Sequence, residues 1–65
     1  MLSDEYRYRI LKLLEADPHA SQRRIAEELG ISLGTVRSHI TSIYRKLQVH
    51  NVAEAVSRAV RQRLI

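Results

Sequence analysis

A small residue and three polar ones recur at spacings of three and four in this 65-residue chain: Gly34, Arg37, Ser38 and Thr41. On an α-helix these spacings place all four on one face. The Arg37 guanidinium can donate two hydrogen bonds to O6 and N7 of a guanine, whereas Ser38 and Thr41 can contact bases less specifically. Gly34 costs a helix about 1 kcal/mol relative to alanine, a cost that makes sense where the helix approaches another surface closely. The pattern predicts base contacts in a DNA major groove by these four residues.

The residues that flank this face fit phosphate groups. Thr35, His39, Arg45 and Lys46 are predicted phosphate contacts that fix register, with an ordinary surface histidine as the alternative for His39. Residues 30–53 contain no Asp or Glu, and a polyanion would select such an absence because a carboxylate repels phosphate. A solvated basic face is the alternative interpretation of this charge pattern taken alone.

Composition argues against several other classes. The net charge is +4, there is no cysteine, and no apolar run approaches the roughly 20 residues of a membrane span. We therefore expect a soluble, intracellular protein. No glycine-rich phosphate loop is present, and the three histidines lack the spacing of a helical metal pair. We expect no enzyme activity, no cofactor and no metal.

A helix-turn-helix must position the polar face. Ser21 can cap a helix over residues 22–29, Gly30 can end it in the left-handed conformation, and Ser32 can cap a recognition helix over residues 33–47. The first helix of such a pair crosses the DNA backbone, which predicts phosphate contacts by its first residues. Those residues are Ser21, Gln22 and Arg23. The alternative for Arg23 or Arg24 is pairing with Glu27 or Glu28 along the helix surface.

The recognition helix and two further helices are expected to supply the core. The buried stripe of the recognition helix comprises Val36, Ile40, Ile43 and Leu47, flanked by Leu33 and Tyr44. The first helix spans residues 2–16, with Ser3 as its cap and an apolar stripe of Tyr6, Ile10, Leu13 and Leu14. Tyr6 and Tyr8 are expected in the core or at its edge, and His19 in solvent.

The last helix is predicted from Val52 to about Arg63, opened by Asn51 and Glu54 as a variant of the capping box. Its apolar residues spread over about 180°, wider than the stripe that one core covers. Part of this arc could form a twofold contact between two copies through Val52, Ala55, Val56 and Ala59. Burial of the whole arc within its own chain is an equal alternative. We therefore expect an all-α, four-helix helix-turn-helix domain over residues 1–65.

The second half of the chain resembles the LuxR-type (GerE-like) DNA-binding domain. The resemblance rests on Ile-Ala-x-x-Leu-Gly-Ile-Ser from Ile25, on Thr-Val-Arg-x-His from Thr35, and on Arg-Lys-Leu-x-Val-x-Asn-x-x-Glu-Ala-Val from Arg45. It implies a transcription regulator with the helix of Arg37 in the major groove. It also implies base contacts by Arg37, Ser38 and Thr41, phosphate contacts near Ser32, Thr35 and His39, and dimerisation through the final helix.

The first half departs from that pattern and, through Ser32-Leu33-Gly34, looks more like winged-helix regulators of the MarR and Lrp type, although no wing follows. The differences lie in the Ser3-Asp4-Glu5-Tyr6 start, the longer join over residues 16–20, and Ser21-Gln22-Arg23-Arg24 where the LuxR type has Ser-Asn-Lys-Glu. The mixture, without a sensing or receiver domain, is consistent with an excised or engineered domain. Sequence-specific binding of double-stranded DNA is the function that the sequence favours. A small helical protein interaction module is the alternative.

Overall fold

The computed structural model describes residues 2–65, with side chains from residue 5 onward. These residues form four helices and no strand: α1 Leu2–Ala16, α2 Gln22–Leu29, α3 Leu33–Leu47 and α4 Val52–Arg61. The all-α prediction and the bounds of the first three helices are confirmed. The predicted cap Ser3 lies outside the described side chains.

α4 ends two residues earlier than predicted. Gln62 donates to the carbonyl of Arg58 at 2.9 Å, but Arg63 turns back with φ +59° and donates to the carbonyl of Val60 at 3.0 Å. A positive φ is incompatible with continued α-helix, so the helix cannot reach Arg63. The sequence carries no signal for this earlier end, because the residue in the left-handed conformation is an arginine rather than a glycine.

One hydrophobic core draws on all four helices. Its three largest fully buried side chains are Ile10 of α1, Ile25 of α2 and Val36 of α3, and α4 adds Ala55 and Ala59. The remaining buried residues are Leu11, Leu14, Ala26, Ile43, Leu47 and Val49. In the predicted stripe of α3, Ile40 alone is only partly buried. This core fixes the rotation of α3 and so decides which of its residues face outward.

The turn between α2 and α3 takes the predicted geometry. Ser21 Oγ accepts the backbone N–H of Arg24 at 3.0 Å, and Ser32 Oγ accepts that of Thr35 at 3.1 Å. Gly30 adopts φ +69°, a left-handed conformation that costs glycine little. The N–H of Ile31 then bonds the carbonyl of Ala26 at 3.1 Å. Both helices of the pair are therefore fixed at the turn by local hydrogen bonds.

The turn between α3 and α4 has a less conventional cap. Gln48 takes the left-handed conformation with φ +57°, and Arg58 reaches back to donate to the carbonyl of Leu47 at 3.2 Å. Asn51 Oδ1 accepts the N–H of Glu54 at 2.9 Å, as predicted. The Glu54 carboxylate accepts from the N–H of His50 at 2.8 Å, one residue before the cap itself.

The apolar arc of α4 is divided between the core and the surface. Ala55 and Ala59 have no exposed surface, Val52 and Val56 are partly buried, and Val60 is 47% exposed. The small residues therefore allow close packing of α4 inside its own chain. The assignment of Ala55 and Ala59 to a contact between copies was wrong, because neither reaches the surface. Burial of the whole arc is equally contradicted.

Candidate nucleic-acid interface

The outward face of α3 gathers the predicted base-contacting residues. Gly34, Arg37, Ser38 and Thr41 are exposed and line one shallow depression together with Ser42 and Arg45. None of the four predicted base-contacting residues is part of the hydrophobic core. The face is therefore free to meet another surface without disturbing the fold.

Gly34 has room for a side chain within its own chain. A Cβ placed there would meet only Ser32 Oγ, at 4.0 Å, which is ordinary van der Waals contact. Packing among the described residues thus does not account for glycine in the first turn of α3. The predicted close approach of Gly34 to base edges stays a prediction.

The start of α3 presents two hydroxyl groups. Ser32 Oγ and Thr35 Oγ1 lie 2.8 Å apart and share one hydrogen bond, with either oxygen able to donate. Because each hydroxyl has one proton, one of the two protons remains available to an external acceptor. The N-terminal dipole of α3 favours a negatively charged acceptor at this position. A phosphate oxygen fits that description.

The start of α2 separates its two arginines. The guanidinium of Arg24 forms an ion pair with the Asp17 carboxylate, and Arg24 Nη2 lies 3.9 Å from Glu28 Oε1. The other carboxylate oxygen of Asp17 accepts a hydrogen bond from the backbone N–H of His19. The predicted alternative of surface pairing is therefore realised by Arg24. Ser21, Gln22 and Arg23 are exposed beside it, so their phosphate contacts stay predictions.

One contact joins the two helices at the candidate interface. Gln22 Oε1 accepts a hydrogen bond from Arg37 Nε at 3.3 Å. Gln22 is the first residue of α2 and Arg37 lies on the outward face of α3, 15 positions later. The sequence pattern predicts a phosphate contact for Gln22 and a base contact for Arg37. Only the folded arrangement brings a predicted phosphate contact and a predicted base contact together.

His39 packs against α1. Its ring centroid lies 5.6 Å from that of Tyr6, and the guanidinium of Arg9 lies 5.9 Å from the same tyrosine ring. Tyr6 is half-buried, so its predicted place at the core edge is confirmed. Tyr8 is 48% exposed, so the same prediction was wrong for it, whereas His19 is exposed as expected. The phosphate contact of His39 stays a prediction.

The C-terminal turn of α3 is basic. Arg45 and Lys46 are exposed there, where positive charge is favourable to the helix dipole. The phenol of Tyr44 beside them is neutral at physiological pH, because its ordinary pKa of 10.0 lies well above that pH and burial raises the pKa further. The cations at this end of α3 therefore have no phenolate beside them.

Among residues 5–65, no group of three His, Cys, Asp or Glu side chains lies close enough together to bind a metal ion. No described helix combines the length and apolar character needed to cross a membrane.

Comparisons with known proteins agree with this geometry. The family model for winged helix-turn-helix DNA-binding domains matches residues 3–42, more than half of the chain. The chain belongs to this family. The family match covers α1, α2 and most of α3, and in the described residues α4 rather than strands follows α3.

Similar curated proteins are bacterial regulators. The chain is 49% identical over 37 residues to the transcriptional regulatory protein DesR of Bacillus subtilis, which covers 57% of this chain and 19% of the relative. It is 46% identical over 41 residues to the probable transcriptional regulatory protein NarL of Mycobacterium tuberculosis, covering 63% and 19%. The monoamine regulon transcriptional regulator of Klebsiella aerogenes is 49% identical over 39 residues, covering 60% and 17%.

These matches support both resemblances of the helix-turn-helix domain, LuxR-type and winged. The chain spans less than a fifth of the length of the curated relatives it matches. No solved structure matches it.

Proposed function

We propose that residues 1–65 form one domain that binds double-stranded DNA sequence-specifically with α3 in the major groove. The observation that carries the proposal is the outward face of α3, which combines exposed Arg37 with short side chains. Short side chains let a helix approach base edges, and an arginine fork reads guanine. The family and the regulators that it resembles support the same function.

Electrostatics favours the same face. Residues 30–53 carry Arg37, Arg45 and Lys46 and no carboxylate, while Arg24 on α2 is neutralised by Asp17 and Glu28. α3 therefore carries three positive charges and no carboxylate of its own. DNA binding through this charge should weaken steeply as salt rises, because each neutralised phosphate releases counterions.

A homodimer is part of the proposal. With Ala55 and Ala59 in the core, the apolar surface left on and after α4 comprises exposed Val60 and Leu64 with partly buried Val52 and Val56. A twofold contact through these residues would place two copies of α3 at half-sites about 34 Å apart. We place the regulator in the bacterial cytoplasm, on the nucleoid.

Selection from a random duplex DNA library, with sequencing of the retained fragments, tests the proposal. An enriched inverted repeat is the expected result for the dimer, whereas a single asymmetric site would keep DNA reading and remove the dimer. No enrichment by a folded protein would refute sequence-specific binding. Salt-independent binding of a partner protein in its place would support the interaction module.

Two substitutions then separate base reading from phosphate binding. Arg37→Ala should cost about 1–3 kcal/mol and relax the preference at one base pair. Lys46→Ala should weaken binding to all sequences alike and flatten the salt dependence. Affinities for the selected site and its single-base variants measure both. An equal loss on every sequence from Arg37→Ala would contradict its assignment to base reading.

A further inference from the structure

The hydrogen bond between Gln22 and Arg37 places a neutral acceptor beside the residue best suited to read a base. Gln22 Oε1 faces Arg37 Nε at 3.3 Å, and both side chains are exposed. Arginine has no acceptor, so the oxygen of the Gln22 amide must be the atom that faces it. The amide NH₂ of Gln22 is then left to donate elsewhere.

The geometry of the guanidinium group determines what this contact leaves available. Nε–H lies on the side of the planar group next to the aliphatic stem, and the two terminal nitrogens lie at its far end. With Nε–H bonded to Gln22, the terminal N–H groups stay free for the parallel pair that guanine O6 and N7 accept. The contact therefore restrains Arg37 without occupying the donors needed for DNA.

Restraint matters because a free arginine side chain has many rotamers. Ordering it on DNA loses conformational entropy, and an arginine ordered beforehand loses less. The backbone positions of both partners are themselves fixed. Ser21 and Ser32 cap the two helices, and Ile25 and Val36 anchor them in the core.

We propose that Gln22 is a positioning residue that sets the base preference of Arg37. This inference rests on the proposed function, since it assigns Gln22 a role in the same DNA contact. Its free NH₂ group is placed to donate to a phosphate oxygen at the start of α2. One side chain would then couple the register of the protein on the backbone to the base that Arg37 reads.

The test compares three variants of the full chain on the selected DNA site and on the same site with the Arg37 base pair changed. Gln22→Met keeps the length of the side chain but removes the acceptor. Gln22→Glu keeps the acceptor but places a negative charge near phosphate. Arg23→Met, one residue along α2, is the matched control for a plain phosphate contact. Thermal melts confirm that each exposed substitution leaves the protein folded.

Gln22→Met is expected to reduce discrimination at the Arg37 base pair by about tenfold, within the range that a bidentate arginine contact supplies. Gln22→Glu should retain that discrimination while binding both sites more weakly. Arg23→Met should weaken both sites equally. In an Arg37→Ala background, Gln22→Met should no longer alter discrimination, because the residue that it positions is gone.

Equal weakening of both sites by Gln22→Met would overturn the positioning role and leave Gln22 as a phosphate contact. Loss of discrimination by Gln22→Glu to the same extent as by Gln22→Met would also overturn it. If Arg37→Ala alone changes no base preference, the role of Arg37 fails, and the positioning role fails with it. That result is recognisable before any Gln22 variant is compared.

Discussion

Replacing Gly34 by alanine is expected to stabilise the fold and weaken DNA binding at once. The new Cβ would meet only Ser32 Oγ at 4.0 Å, so the substitution introduces no clash within the chain. Alanine in place of a glycine inside a helix raises the free energy of unfolding by about 0.5–1 kcal/mol. We expect the lower end of that range, because Gly34 lies in the first turn of α3 rather than in its interior. For a domain of this size the gain corresponds to a rise in Tm of about 2–4 °C.

Replacing Gly30, on the other side of the same turn, by alanine is expected to have the opposite effect and to destabilise the fold. Its φ of +69° is left-handed, and no atom lies within 4 Å of a Cβ built there, so the backbone conformation alone decides the outcome. The left-handed conformation costs an L-residue about 1–2 kcal/mol, partly offset by lower entropy in the unfolded chain. Gly30→Ala should therefore lower Tm by about 4–8 °C.

DNA affinity measured below both melting temperatures then tests close approach. If α3 lies against base edges at Gly34, a methyl group there should weaken binding about tenfold, since overpacking a tight contact costs about 1–3 kcal/mol. A more stable protein that binds more weakly cannot owe its defect to unfolding. Unchanged affinity in Gly34→Ala would refute the close approach, and a lowered Tm would refute the account of the glycine itself. Gly30→Ala, away from the reading face, should bind normally while folded.

Two further predictions concern the ends of α3. Arg58→Met removes the hydrogen bond to the carbonyl of Leu47 at 3.2 Å and a cation at the C-terminus of the helix, and should lower the free energy of unfolding in urea by about 1–2 kcal/mol. Arg58→Lys should retain part of this stability, because lysine keeps the positive charge. An unchanged free energy of unfolding in Arg58→Met would contradict the capping role of Arg58. For Tyr44, a raised pKa in the folded state means that its contribution is complete below pH 10 and is lost as pH rises through the folded pKa. Tyr44→Phe should therefore gain stability relative to the parent protein above pH 10, and parallel curves of unfolding free energy against pH would contradict this.

Local signals explain why the helix-turn-helix could be predicted from the sequence. Ser21, Gly30 and Ser32 each act on backbone groups within a few residues, so their types and spacing determine where α2 begins and ends and where α3 begins. The apolar stripe of α3 repeats with the helical period, which fixes the opposite face as the outward one. The four predicted base-contacting residues therefore lie together on one surface.

Contacts between distant residues could not be predicted in the same way. Asp17 meets Arg24 seven positions on, and Gln22 meets Arg37 fifteen positions on, through packing that a one-dimensional pattern does not contain. The placing of the apolar residues of α4 could not be predicted for a related reason. Periodicity shows which residues share a face, but the neighbouring helices decide that Ala59 lies inside and Val60 outside.

The division of α3 into a buried stripe and an outward face has an evolutionary consequence. Ser38 and Thr41, the other two side chains proposed to contact bases, are exposed and take no part in the core, so substitutions there should change the preferred DNA sequence without a penalty in folding. Arg37 is the exception, because its partner Gln22 lies on another helix. A substitution of Arg37 alone would remove the hydrogen-bond donor that the Gln22 amide oxygen accepts from. A change in the DNA sequence that this domain prefers should therefore arise from independent substitutions at most outward positions of α3, but from coupled substitutions at Gln22 and Arg37.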